Sequence, residues 1–140
     1  MKLNICCSTQ QKITNYTNLV LEENTVDLNT VINSSCEEII VSNVLDHLIY
    51  ENAKQALREI LSKLRLGGTI TITGVDAKAL SRMVVSESVS IEQLNQILSN
   101  TKSLNTIFNI RTALIQSNLT IESDFINGYS YSIVAKRKKV

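Results

Sequence analysis

The side chains able to do chemistry in this chain are few and sit in short clusters. Cys6-Cys7-Ser8 offers two thiols and a hydroxyl in a row, and Cys36 is the third cysteine. Glu22-Glu23 is a carboxylate pair, Ser42-Asn43 a hydroxyl beside an amide, and Asp46-His47 a carboxylate beside the single imidazole of the chain. A tetrahedral metal needs converging ligands. An adjacent Cys pair cannot readily grip one ion and a lone His gives no second nitrogen, so the thiols read as small apolar groups and no metal is expected. Asp46 suits a cap or turn acceptor as well as an acid. Tyr129 and Tyr131 have the spacing of one strand face, where packing is the default role.

The elements that must position these groups centre on residues 36–75. The run 38–42, Glu-Ile-Ile-Val-Ser, is too short for a helix and reads as a buried strand. Ala53, Leu57, Ile60, Leu61 and Leu64 recur at three and four and predict an amphipathic helix over 51–65 that packs through them. Gly67-Gly68 reads as the left-handed stop of that helix. The alternating Thr and Ile that follow predict a strand at 69–74. Strand, helix and strand make a βαβ unit with a right-handed crossover, and hence a parallel sheet. Earlier, 2–7 and 16–21 read as strands, while Val26–Ile32 fits either a short strand or one helical turn. Later, Asp76 caps a helix over 77–85. Ser90-x-x-Gln93 is a capping box for a helix whose buried stripe is Ile91, Leu94, Ile97 and Leu98. A further helix fits 106–117, and strands at 120–126 and 129–136 flank Asn127-Gly128, a hairpin signal.

Composition bounds the function. A chain of 140 residues reads as one domain, 1–140, with a core of its own. A net charge of +1 gives no argument for nucleic acid or a membrane surface. The only basic cluster, Lys136–Lys139, reads as a solvated tail. No run approaches a membrane span and no signal region opens the chain. Three cysteines, an odd number, point to reduced thiols and a cytoplasmic location.

Parallel strands with intervening helices, closed by a terminal hairpin, resemble the class I S-adenosylmethionine-dependent methyltransferase family. Residues 37–48, Glu-Glu-Ile-Ile-Val-Ser-Asn-Val-Leu-Asp-His-Leu, are similar to that family's strand-four segment, D-E-I-x-x-x-H-V-L-E-H. Leu66-Gly67-Gly68-Thr69 looks like its L-K-P-G-G-x-L passage, with Arg65-Leu66 where Lys-Pro is usual. Lys2 to Thr9 takes the place of its K-L-x-L-G-C-G opening, and the hairpin around Asn127-Gly128 suits its compact branch. The resemblance implies a Rossmann-like α/β fold, a mostly parallel sheet ended by an antiparallel hairpin, with S-adenosylmethionine as cofactor. The cofactor would lie between Cys7-Ser8 and Ser42-Asn43, over the carboxyl ends of two neighbouring strands, with Glu22 or Glu23 toward the ribose.

The chain also departs from the family pattern. Cys6 and Ser8 stand where glycines are expected, with Cys7 at the family's Cys, and Leu19-Val20-Leu21 is apolar where a ribose-binding carboxylate is expected. The short stretch after the first strand implies a reduced or absent first helix. The family's match to His47 is mostly structural or at a pocket rim, and no catalytic residue is assigned. Two readings follow. One is a small methyltransferase acting on an unidentified small-molecule or macromolecular acceptor, catalysing chiefly by positioning. The alternative is a cofactor-free, inactive module of the same fold that binds or assembles. A homodimer is compatible with either.

Overall fold

The computed structural model describes residues 1–139. Its strands are β1 (Lys2–Cys6), β2 (Thr17–Val20), β3 (Cys36–Ser42), β4 (Leu64–Val75), β5 (Leu119–Asn127) and β6 (Ser130–Arg137). Its helices are α1 (Tyr50–Lys63), α2 (Ala77–Val85), α3 (Ile91–Ser99) and α4 (Ile107–Gln116). All six strands form one sheet in the order β2-β1-β3-β4-β6-β5. The pairs among β2, β1, β3 and β4 are parallel, while β6 runs antiparallel to both β4 and β5. The expected mixed α/β architecture is present, with the strand order reversing at β1.

The core lies on one face of this sheet. Leu3, Ile5, Ile39, Val41, Ile70, Ile72, Ile133 and Ala135 point to the same side and meet Ala53, Leu57, Ile60 and Leu61 of α1 and Ile110 and Leu114 of α4. The strand period of two puts their neighbours in sequence on the opposite face. There Ile40, Thr69, Thr71, Thr73, Ser132 and Val134 stay only half-buried. Between β1 and β2 the chain makes a single 3₁₀ turn, Thr9–Gln11, in place of a helix. It reaches β3 without another helix. A doubly wound sheet carries helices on both faces and three strands on each side of its switch point; this one has two strands beyond it.

Several boundaries differ from the sequence reading for local reasons. Helix α1 ends at Lys63 and Leu64 already takes strand dihedrals (φ −75°, ψ 126°), so the chain passes straight into β4. Gly67-Gly68 is therefore an excursion inside β4 and not the helix stop. Gly67 has φ +77°, and a Cβ on Gly68 would stand 2.8 Å from Leu64 Cδ1 and 3.0 Å from the Cys36 carbonyl. The end of α1 is satisfied by Arg137, whose guanidinium donates to Leu64 O at 2.5 Å and Leu61 O at 3.4 Å. The basic cluster thus begins inside β6 and binds a helix end, which corrects its reading as a solvated tail. Val26–Ile32 is neither strand nor helix; Leu28 and Val31 are buried while Ile32 is 75% exposed.

The capping box of α3 is complete, with Gln93 N–H donating to Ser90 Oγ at 3.1 Å and Ser90 N–H to Gln93 Oε1 at 2.9 Å. Its apolar stripe is not buried as expected: Ile91 is 68% and Leu98 41% exposed. In the hairpin, Asn127 pairs with Ser130, so the two-residue loop is Gly128-Tyr129, with Gly128 at φ +64°. Gly at the first loop position is the type II′ pattern, one residue later than the Asn-Gly signal suggests.

Asp76 organises the carboxyl end of β4. One carboxylate oxygen accepts Ala79 N–H at 2.7 Å and caps α2; the other accepts Ile107 N–H at 2.7 Å at the start of α4. Ala77 N–H donates to Asn105 O at 2.9 Å, so the segment holding α2 and α3 leaves and returns at one point.

Candidate functional site

β1 and β3 are parallel neighbours, and from β1 the chain goes to β2 on one side and β3 on the other. The crevice of an open α/β sheet lies at such a reversal, outside the carboxyl ends of the strands. Cys7 follows β1 there, and Ser42 and Asn43 end β3. The structure brings these three together with His47. Cys7 Sγ lies 3.7 Å from Ser42 O, 3.7 Å from Asn43 O and 3.4 Å from His47 Nδ1. Asn43 sits in the left-handed region (φ 58°), and its N–H donates to Thr73 O at 3.0 Å. Asparagine tolerates that conformation better than most residues.

His47 Nδ1 is 2.7 Å from Asn43 O, a contact that holds when Nδ1 carries the proton and donates to the carbonyl. The imidazole nitrogen nearest Cys7 is then occupied and is no base for the thiol. Burial, followed by the neighbouring Cys6 and Asp46, pushes the Cys7 thiol up to about 11. Cys7 is therefore a neutral thiol packed against two carbonyls and not an activated nucleophile.

The loop after β1 closes on itself. Cys7 N–H, the kind of backbone donor a glycine loop turns toward a ligand, donates instead to Gln11 Oε1 at 2.9 Å. Ser8 is exposed and extended (φ −145°), and none of Cys6, Cys7 and Ser8 has a positive φ. The loop thus lacks the left-handed turn that glycines would supply. Glu22 stands exposed just past β2, exchanging backbone bonds with Thr25 (3.3 and 3.1 Å) in a tight turn through Glu23 (φ 51°). It lies at the expected end of the sheet but makes no hydrogen bond to Cys7, Ser42 or Asn43 among the described residues. With its backbone donor taken by Gln11 and no left-handed turn, the loop after β1 does not fit S-adenosylmethionine.

Sequence reasoning missed how the surrounding loops are tied, because the bonds join residues distant in the chain. Asp46 Oδ2 accepts Val75 N–H at 2.9 Å, fixing the turn after β3 to the end of β4. The Asp46 carbonyl accepts Lys102 N–H at 2.8 Å, and the Lys102 ammonium donates to Asn24 in the turn after β2. Ser103 Oγ donates to Leu45 O at 3.1 Å in a buried position. These bonds strap three loops at the carboxyl end of the sheet. Among the described residues, no group of three or more His, Cys, Asp or Glu is arranged to hold a metal ion, and all three cysteines are free.

Asp46 is only 3% exposed, and its second oxygen, Oδ1, has no partner among the described residues. Tyr131, buried against Gly74, has an unpaired hydroxyl as well; burial and then the nearby Asp46 and Asp76 push its phenol upward. Burial pushes the Asp46 carboxyl up to about 6, against the lowering effect of the Val75 N–H bond and His47. Folded protein therefore binds a proton below about pH 6 that the unfolded chain takes up only below about 4. Stability should fall by about 2–3 kcal/mol as pH rises from about 4 to about 6 and level off above. Asp46→Asn should flatten that segment of a urea-midpoint profile; an unchanged slope would place the titration elsewhere.

Two clefts border these loops, the first touching Leu45 and the second Asn24, and neither is lined by Cys7, Ser42, Asn43 or Asp46. The first runs between α1 and α4, lined by Tyr50, Leu57, Phe108 and Ala113 among others, and the second is lined by Thr25, Leu48 and Gln55.

No family model matches the sequence, and neither does any curated protein. Solved structures do match the fold. An O-methyltransferase family protein from Burkholderia thailandensis is 11% identical, with a TM-score of 0.63 over 89% of this chain and 36% of that one. An S-adenosylmethionine-dependent methyltransferase from Mesorhizobium loti is 13% identical, with a TM-score of 0.63 over 96% of this chain and 79% of that one. Magnesium protoporphyrin IX methyltransferase from Synechocystis PCC 6803 with bound SAH is 16% identical, with a TM-score of 0.59 over 93% of this chain and 55% of that one. This chain therefore spans about a third of the first of these proteins, just over half of the third and most of the second. The chain has the class I S-adenosylmethionine-dependent methyltransferase fold, in a form with one uncovered sheet face.

Proposed function

We propose that residues 1–140 are a single methyltransferase-like domain that works as a binding or assembly module without S-adenosylmethionine. The observation that carries this reading is the loop after β1, whose Cys7 N–H is taken by Gln11 Oε1 at 2.9 Å and which makes no left-handed turn at residues 6–8. The loss of the first helix supports the same reading. The three free thiols and the balanced charge suit a reducing, cytoplasmic setting and a partner other than nucleic acid.

The second reading is a small methyltransferase acting on an unidentified acceptor. It is supported by Glu22, Ser42 and Asn43 standing at the carboxyl ends of β2 and β3, the end at which open α/β sheets bind ligands. Calorimetric titration with S-adenosylmethionine and with its demethylated product separates the two. The expected result is no measurable heat with protein at about 100 μM, which places any Kd well above the micromolar range. Gln11→Ala frees the Cys7 N–H and is the variant in which weak binding should first emerge. Micromolar binding by the unaltered protein would overturn the module reading and restore the enzyme.

A further inference from the structure

We propose that the helix-free face of the sheet is a self-association surface, on which two copies of this chain stack about a two-fold axis running along β4. All-parallel sheets are found almost only with both faces covered, and here the core residues of α1 and α4 meet the other face. A compact monomer of this mass should expose about 7,200 Å²; this one exposes 8073 Å². The excess fits a layer that folding within one chain has not supplied.

The register of the strands identifies the occupant. Lys2, Glu38, Thr69 and Lys136 form one row across β1, β3, β4 and β6, and Asn4, Ile40, Thr71 and Val134 form the next, with Asn4 covered by Gln11 and Asn18 of its own chain. β3 and β6 flank β4, so a two-fold axis along β4 lays β3 of one copy over β6 of the other. Glu38 then faces Lys136 of the second copy, and the symmetry repeats the pair. Ile40 meets Val134 in the same way, and Thr69, Thr71 and Thr73 meet their own equivalents. An axis across the strands would instead set Glu38 opposite Ser42 and Lys136 opposite Ser132, leaving Glu38 with only its own Lys2 and Lys136 with no counter-ion among the described residues. Aligned stacking of two sheets is also the geometry their twist favours. The outer edge is less suited to self-pairing: β5 carries Glu122 and Asp124 and a bulge between Ile121 and Ser123, devices that discourage edge pairing.

The open part of the face is three strands, β3, β4 and β6, about 15 Å by about 20 Å, since Asn4 of β1 is fully buried beneath Gln11 and Asn18. An interface of that size is that of a weak, transient pair. Association should therefore lie in the micromolar range, and it does not depend on whether the crevice takes a cofactor.

Sedimentation equilibrium of the full chain from about 10 to about 300 μM should show the mass rising from 15.6 kDa toward twice that value. Glu38→Lys and Lys136→Glu should each weaken association at least about tenfold, since each turns an attraction into a repulsion. Glu38→Lys also breaks the exposed 3.6 Å ion pair with Lys2, which is worth little to the fold, and circular dichroism checks that each variant is folded. The double variant E38K/K136E reverses both charges and should regain wild-type association. A monomer throughout this range, a dimer indifferent to both single changes, or a double variant that stays dissociated would each overturn the proposal.

Discussion

Asp76→Ala should lower the unfolding free energy by about 2–4 kcal/mol, because one truncation uncaps two helices. Both carboxylate oxygens are used at 2.7 Å, toward Ala79 N–H and Ile107 N–H. The side chain is 1% exposed, so water cannot take over either bond. Each cap of this kind is worth about 0.5–2 kcal/mol, and a buried donor left without a partner adds its desolvation cost. Asp76→Asn retains a single carbonyl oxygen and should recover part of the loss. Urea denaturation gives the magnitude, and hydrogen exchange shows whether the first turns of both α2 and α4 lose protection. Protection lost at α2 alone would mean that Ile107 finds another acceptor and that the shared cap is not essential to α4.

Leu61→Ala should cost about 2–5 kcal/mol, the range for a large aliphatic side chain cut back in a packed core. Leu61 is 8% exposed in the cluster that joins α1 to β3, β4 and β6. The same helix face supplies Ile60, fully buried, and Leu57, 7% exposed. With one face of the sheet uncovered, this cluster is the principal apolar core, which argues for the upper half of the range. Ser62→Ala, one residue along on the exposed side, should change stability by less than about 1 kcal/mol. A loss of only a few tenths at Leu61 would show that α1 presents a different stripe to the sheet.

The βαβ unit and the hairpin were legible in the sequence because their signals are local. The 3.6 period of α1, the Thr-Ile alternation of β4 and the capping box of α3 each concern residues within a few positions of one another. The end of α1 was misread because Leu64-Arg65-Leu66 continues a helical stripe as readily as it starts a strand. What decides it is Arg137, more than seventy positions away, bonding the last carbonyls. The exposure of Ile91 and Leu98 was equally invisible, since an amphipathic pattern identifies an apolar face without showing what covers it. At the candidate site, the missing glycines could be seen directly. That Cys7 Sγ meets the Ser42 carbonyl required the approach of β3, and the Gln11 side chain that takes the Cys7 N–H belongs to a loop with no periodic signal.

The meeting of Ala77 with Asn105 beside Asp76 bears on how this protein could change over generations and on how it could be altered by hand. Because residues 77–105 depart and return at one anchored point, their length is decoupled from the register of the strands on either side. α3 buries none of its residues, so between α2 and the Lys102-Ser103 strap little of the framework senses what occupies the excursion. Variation in size among descendants of this gene should accumulate there before it touches the strands, as insertions and deletions do at exposed loop tips. The same geometry makes the α2–α3 turn near Glu87 a natural splice point for a fluorescent reporter or an epitope, with Asp76 holding the seam closed beneath it.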